Sequence, residues 1–515
     1  MASRVRQQDV IAYLADPSTH DGADVERIDT HSAVVFLAGA RALKLKRDVR
    51  FDYLDFSTEA RRRAACEAEV RINRRAAPSL YRGVLAVTRE ADGSLALGGA
   101  GTPVDWLVEM ARFDQVGLFD RLASRDALSL DLMPGLAAAI ARFHASASPR
   151  GDRGGRDGMA WVVDGNAKGL ATQGAGILDP ALCERLSSLA RASLDRHARL
   201  LDARRRDGFV RECHGDLHLR NIVLLDGAPV LFDAVEFNDA ISCIDVLYDL
   251  AFLLMDLWRR GLTAHANVVW NAYLAETEDL SGLALLPLFL SCRAAVRAKT
   301  SVTAVRMQPD PARATELEGL AHQYLAMAIA LLQPAPARLV AVGGLSATGK
   351  STLARALAPD VLPAPGAVVL RSDEIRKALL GVGALERLGP DGYTPEVTDA
   401  VYRALGDRAA TIVRAGQSVI ADAVFSRPSE RAAAEAVAAS VTVPFTGLWL
   451  DARPDVLVAR AEARRMDASD ADADVVRLQR ARDPGTITWH RLDASDAPEA
   501  VLERARTLLS RPRAR

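Results

Sequence analysis

Residues 339–357 read LVAVGGLSATGKSTLARAL, and this segment narrows the possible folds more than any other in the chain. An apolar run ends in glycines, a GxxxxGKS pattern spans Gly344 to Ser351, and an apolar-periodic helix begins at once. Such an order predicts a buried strand, a tight phosphate-cradling loop and a helix whose N-terminus faces the anion. Gly344 and Gly349 let backbone amides close around phosphate, and Ser346 and Thr352 lie within and just after the loop. Lys350 would reach the β- and γ-phosphates, and Ser351 would offer its hydroxyl to Mg²⁺. Downstream, the runs VVLR, SVIADA and FTGLWL are each followed by a helical pattern. Strands alternating with helices predict a parallel α/β sheet.

Two strand ends in this region carry carboxylates. VVLRSDEIRKAL places Asp373 at a helix start just past a strand, with Arg376 one turn further on. At the carboxyl end of a parallel sheet, near the phosphate loop, Asp373 can act as the base for an acceptor hydroxyl. Simple helix capping by Ser372 or Asp373 is the plainer alternative. SVIADAVFSR ends a strand at Asp422, a carboxylate suited to the cation or to positioning the acceptor. In LDARPDVLVARAEARR, Arg460 and Arg464 lie four apart and share a helix face. On a lid they would neutralise charge developing on a transferred phosphoryl group. A solvated arginine face explains them equally well, because the chain is so rich in arginine. Of its 65 basic residues six are lysine (44, 46, 168, 299, 350 and 377), which leaves 59 arginines.

The clearest seam is Gln333-Pro-Ala-Pro-Ala, a short stiff spacer. All five cysteines lie before it. Ahead of it, ECHGDLHLRNIVLLDGAPVLFDAVEF sets Asp216 five residues before Asn221, and Asp233 after a hairpin-like pair of strands. The spacing is that of a kinase catalytic loop followed by a metal-binding aspartate at a strand end. Phosphoryl transfer needs a carboxylate to orient a hydroxyl and take its proton. It also needs oxygen ligands that hold Mg²⁺ against the triphosphate. In ALKLKR, Lys44 and Lys46 alternate along a strand and so share a face, with Lys44 suited to the donor phosphates. Its carboxylate partner should lie on the following helix, at Glu69 in preference to Glu67. Backbone groups around Met110, in VEMARF, form the candidate hinge for adenine. Asp29-Thr30-His31-Ser32 stands where a glycine-rich nucleotide loop would be.

HGDLHLRN, LFDAVEFND and IDVLYDLAFL resemble the aminoglycoside phosphotransferase family, a branch of the protein-kinase-like fold, across most of residues 25–330. The resemblance implies Asp216 as catalytic base, Asn221 and Asp233 as metal ligands, and His214 as a brace of the loop. It implies that Asp245 and Asp249 stabilise that loop, although ordinary capping accounts for them equally well. The acceptor is not fixed by the family name. An aminoglycoside-specific pocket should be acidic, yet residues 250–300 mix Asp256 and Glu276–Asp279 with Arg293, Arg297 and Lys299. The later segment GLSATGKST, RSDEIR, IADAVFSR and WLDARPDVLVARAEARR resembles P-loop kinases of the gluconate kinase and 5′-hydroxyl polynucleotide kinase type. That resemblance implies ATP and Mg²⁺ as cofactors, Asp373 as base, Arg376 as an acceptor contact and a lid bearing Arg460 and Arg464. The pairing of the two halves resembles bifunctional aminoglycoside phosphotransferase/ATP-binding proteins.

The expected architecture follows. A bilobal α+β kinase-like domain spans 1–332, a linker 333–337, and an α/β P-loop domain with a parallel sheet 338–515. The expected activity is ATP/Mg²⁺-dependent phosphoryl transfer by each domain to a hydroxyl of a small molecule. One domain acting only as an ATP-binding regulator, or a polynucleotide 5′-hydroxyl as the second acceptor, are the alternatives. A formal charge of −1 excludes a strongly basic nucleic-acid coat. An aromatic content of 5% argues against a long single-stranded track. The amino terminus lacks an apolar signal core, and no apolar run reaches the roughly 18 residues of a membrane span. With five cysteines and no CxxC spacing, a reducing cytoplasm and no membrane partner are expected.

Overall fold

The computed structural model describes residues 6–51, 53–383, 385–463, 469, 470, 477, 479 and 483–510. They form two compact units. One comprises Met1–Gly169 and Arg191–Asp256, the other Leu170–Ala190 and Leu257–Arg515.

The first unit is built on a six-stranded antiparallel sheet. Its spatial order is Val25–Asp29, Ala33–Ala38, Arg41–Lys46, Thr102–Ala111, Tyr81–Arg89 and Leu95–Leu97. Alternation along the strands decides the two faces. Val34, Phe36, Leu43, Leu45, Val87 and Leu107 pack with Val10, Ile11 and Leu14 of helix Gln7–Ala15. Each such side chain contributes about 1.5–3 kcal/mol when fully buried. Lys44 and Lys46, out of step with those leucines, both reach Glu69 of helix Glu59–Asn73. Thr58 starts that helix, its hydroxyl accepting from Arg61 N. Further along, the hairpin Ile222–Leu225/Ala228–Leu231 closes through Asp226-Gly227, both at positive φ (49° and 77°). This is the two-residue turn that a DG pair favours.

The second unit carries a five-stranded, all-parallel sheet in the order Val368–Arg371, Val419–Asp422, Leu339–Gly344, Phe445–Asp451, His490–Asp493. The fifth strand, HRLD, is too short and polar to stand out in the sequence. Val340, Val342, Ile420, Leu448 and Leu450 form the sheet's share of a core with Leu353, Leu357 and Val501 from flanking helices. Helices Leu286–Met307 and Pro311–Leu331, which pack along each other, belong to this unit, as does helix Thr263–Thr277. The segment 333–337 therefore lies inside the second unit. The physical reason is the packing of helix Thr263–Thr277 on the sheet's first strand. Among the described residues, no helix is long and apolar enough to cross a membrane.

Candidate active sites

In the first unit the strand Arg41–Lys46 delivers two lysines onto one buried carboxylate. Lys44 Nζ donates to Glu69 Oε1 at 2.8 Å and also to Asp233 Oδ1. Lys46 Nζ donates to Glu69 Oε2 and to Glu236 Oε1. Glu67 instead pairs with Arg63 at the surface, 2.9 Å away. Desolvation opposes charge on Lys44, but Asp233 and Glu69 hold its ammonium well above the ordinary value. Desolvation likewise works against Asp233, and Lys44 overrides it, holding that carboxyl below the usual carboxylate range. Asp233 itself sits at positive φ (61°), its N–H donating to Tyr81 Oη at 3.0 Å. The next amide, Ala234 N, donates to Asn73 Oδ1 at 2.9 Å.

The loop from His214 to Asn221 is held from beneath. Asp249, fully buried, accepts from His214 N (3.0 Å), Gly215 N (2.8 Å) and His144 Nε2 (3.1 Å). His214 Nε2 meets Phe232 O at 2.9 Å, bracing the loop against the hairpin. Asp245 does something else: it pairs with buried Arg204 at 2.7 and 2.9 Å and caps Leu247 N. The two aspartates that sequence treated alike are thus separate in role. Asn221 Nδ2 donates to the backbone oxygen and to Oδ2 of Asp216 (2.9 and 3.1 Å), and His218 Nε2 lies 3.3 Å from that same Oδ2. Met110 lines a cavity of about 50 Å³ with Leu37, Ala42, Tyr81, Ala111 and Phe232. In the Asp29–Ser32 turn, the Thr30 hydroxyl is spent on Ala33, while burial pushes the His31 imidazole down against the pull of Asp216 and Asp233.

In the second unit the phosphate loop follows strand Leu339–Gly344. Gly344 has φ +136°, and a Cβ there would lie 2.5 Å from Leu450 O, so no side chain is tolerated. Gly349, at φ +91°, opens helix Lys350–Leu357. Lys350 Nζ donates to Leu345 O at 2.8 Å, and the buried Ser346 donates its N–H to Gln479 Oε1 at 2.8 Å. Ser351 Oγ donates to Asp422 Oδ2 at 2.5 Å, and Thr352 follows, exposed, in the first turn. Arg371 adds a buried cation: Nη2 reaches Ser351 Oγ (3.2 Å) and Nε lies 3.4 Å from Asp422 Oδ2. Asp373 begins the helix after that strand. Burial, then the Asp422 charge, pushes its carboxyl up, against Lys350, Arg371 and a hydrogen bond from Ser469. These influences group Asp373 with the Lys350–Ser351–Asp422 cluster.

Two predicted arginines are engaged elsewhere. Arg376 donates to Gly392 O at 2.8 Å, with its guanidinium 4.8 Å from the Tyr393 ring centre. Arg460 donates to the carbonyls of Ala494 (2.8 Å) and Asp496 (3.4 Å). Arg464 lies outside the described residues. Glu236, His144, Arg371, Tyr81 and Asn73 escaped the sequence reading because their partners are remote in the chain. Lys46 had two signals, its survival in a chain so depleted of lysine and its alternation with Lys44.

Residues 41–286 match the phosphotransferase enzyme family, and residues 339–484 match an AAA domain. An uncharacterized protein of Mycobacterium tuberculosis, Rv2004c, is 32% identical over 490 residues, covering 93% of this chain and 94% of its own. An adenylyl-sulfate kinase of Myxococcus xanthus is 35% identical over 117 residues, 23% of this chain and 59% of that protein. Among solved structures, a choline/ethanolamine kinase family protein from Mesorhizobium loti covers 63% of this chain and 98% of its own, at 16% identity and a TM-score of 0.35. The chain belongs to a family of two-domain proteins in which a kinase-like phosphotransferase domain is followed by a P-loop kinase-type AAA domain.

Proposed function

We propose that the chain is a bifunctional ATP/Mg²⁺-dependent phosphotransferase, each domain passing the γ-phosphoryl group of ATP to a hydroxyl of a small molecule. One observation carries the reading. Each unit gathers a lysine, two oxygen-bearing side chains and a further carboxylate, the set this reading assigns to phosphate, a hard cation and the acceptor. In the first these are Lys44, Asn221 with Asp233, and Asp216. In the second they are Lys350, Ser351 with Asp422, and Asp373. The all-oxygen donor pairs suit Mg²⁺, which takes hard oxygen ligands. Asn221 turns its amide nitrogen toward Asp216, so its carbonyl oxygen is the end suited to a cation. Bound Mg²⁺ would offset the charge of the triphosphate in both sites.

The chain's own groups then divide the work. Lys44, held by Glu69, draws the donor phosphates toward the catalytic loop. Asp216 accepts the acceptor's O–H and takes its proton as the O–P bond forms and ADP leaves. Met110 and its neighbours supply an apolar slot for adenine. In the second domain the amides around Ser346 and Gly349 bind phosphate, Lys350 bridges β and γ, and Asp373 takes the hydroxyl proton. A carboxyl pushed up by burial holds a proton more tightly once it has taken it, which suits a base. Five buried cysteines, none in a disulfide among the described residues, support a cytoplasmic setting.

The test is a screen for acceptor-dependent ADP release by the full chain over sugars, aminoglycosides, nucleosides and 5′-hydroxyl oligonucleotides, repeated with Asp216→Asn and Asp373→Asn. Each variant should lose a different acceptor. If no acceptor stimulates ADP release, or if neither substitution changes it, the proposal fails.

A further inference from the structure

The strand Val368–Arg371, which leads directly into Asp373, lies at the edge of its sheet and, among the described residues, pairs only with Val419–Asp422. An edge strand leaves backbone N–H and C=O groups without a strand partner. Here the side-chain amide of Asn271 fills that role. Its Oδ1 accepts from Val369 N at 2.7 Å, and its Nδ2 donates to Ala367 O at 3.1 Å. One residue thus supplies both the donor and the acceptor that a neighbouring strand would supply. Asn267, one turn earlier on helix Thr263–Thr277 and 3% exposed, donates to Pro365 O (3.1 Å) and Ala367 O (3.0 Å). Asn271 Nδ2 also meets Asn267 Oδ1 at 3.1 Å, so the two amides act as a pair.

The backbone on the sheet side is shaped to receive them. Gly366 has φ +100°, and a Cβ there would lie 2.6 Å from Asn267 Nδ2 and 2.6 Å from Ala358 O. Only glycine allows the loop to press this closely on the helix. The clasped loop joins helix Lys350–Leu357, which carries Lys350 and Ser351, to the strand that carries Arg371 and leads to Asp373. Its conformation therefore sets the distance between the phosphate lysine and the base.

We propose that helix Thr263–Thr277 is a positioning element of the P-loop site, with Asn267 and Asn271 as positioning residues that fix the strand bearing Asp373. The P-loop kinase is then built from residues on both sides of the 333–337 segment. This rests on the reading of Asp373 and Lys350 given above. Asn271→Ala leaves Val369 N and Ala367 O without this partner and lets the strand end shift. A misplacement approaching 1 Å at a reacting group costs up to about 100-fold in rate.

The experiment uses the full chain carrying Asp216→Asn, which silences the first domain, and measures ADP release against ATP concentration together with thermal melting. Asn271→Ala should lower kcat by about 10- to 100-fold at a temperature where the protein is folded, with KM for ATP unchanged. Asn271→Asp keeps the acceptor for Val369 N but loses the donor to Ala367 O. Its second oxygen faces the acceptors Ala367 O and Asn267 Oδ1, so it should lower kcat as well, and it replaces the alanine variant if that one does not fold. Normal kcat in both variants, whether or not melting is lowered, reduces the clasp to packing and overturns the proposal. Asp373→Asn in the same background separates the two claims. If it leaves ADP release intact, the reading of Asp373 has failed. If it abolishes release while the asparagine variants do not, only the clasp has failed.

Discussion

Replacing Lys46 by Met probes a deeply buried charge cluster. The Lys46, Glu236 and Glu69 side chains are 3%, 3% and 0% exposed, and Lys46 bridges the two carboxylates. Glu69 keeps Lys44 when Lys46 is lost, whereas the ion pair described for Glu236 is to Lys46. Removing one partner of a buried pair costs about 3–5 kcal/mol, because the other charge is left in low dielectric. The loss should depend on pH. Burial already pushes the Glu236 carboxyl above its ordinary 4.5, with Lys46 opposing the rise. Without Lys46 it rises further. A carboxyl with a folded-state pKa above its unfolded one binds its proton more tightly when folded. The stability tied to that proton is complete below the unfolded value and is lost as pH rises through the folded value. Between those two values the variant should lose about 1.4 kcal/mol per pH unit on going alkaline. Urea unfolding at about pH 5.5 and about pH 8 should therefore show the smaller deficit at the lower pH. Lys46→Met/Glu236→Gln should recover most of the loss, since neither charge remains. A deficit under about 1 kcal/mol, one equal at both pH values, or no recovery in the double variant would refute the reasoning.

Three further outcomes follow from individual contacts. Asp249→Ala removes the acceptor for the amides of His214 and Gly215; each stranded donor should cost about 1–3 kcal/mol, and phosphoryl transfer at the first site should collapse while the second continues. Melting and ADP release in the Asp373→Asn background check this, and unchanged first-site turnover would count against it. Because Asp373 is pushed above its ordinary 3.8, second-site turnover should fall on acidification at a pH higher than that value, as the base is lost to protonation. A pH–rate profile in the Asp216→Asn background measures it, and a rate still flat below that value contradicts the role. Gly344→Ala places a methyl group 2.5 Å from Leu450 O, and should abolish nucleotide binding at the second site while leaving the first intact, as read with a fluorescent ATP analogue.

What could be seen from sequence was whatever lies close in the chain. GLSATGKST encodes a strand, a turn and a helix start within one contiguous run, and HGDLHLRN with its DG hairpin is equally local. The alternation of Lys44 and Lys46 placed them on one face, because period two allows nothing else. What stayed hidden depends on contacts across long stretches of chain. His144 supports the His214–Asn221 loop through Asp249, 105 residues away. Arg371 reaches Ser351 and Asp422 only because the strand order places Val419–Asp422 between Val368–Arg371 and Leu339–Gly344. The proline-rich segment looked like a seam because prolines break elements locally. Yet two asparagines, unremarkable in the helical pattern NVVWNAYL, tie residues before it to the sheet after it. Lysine scarcity proved informative at Lys46, and also at Lys377, which is buried and paired with Asp470 at 3.2 Å.

A bifunctional chain of the kind proposed holds two complete sites for ATP. Equilibrium binding of a non-hydrolysable ATP analogue with Mg²⁺ counts them directly. Two molecules should bind per chain, falling to one in Lys350→Ala, one in Lys44→Ala and none in the double variant. A single molecule bound by the unaltered protein, or two retained after Lys350→Ala, would contradict the proposal.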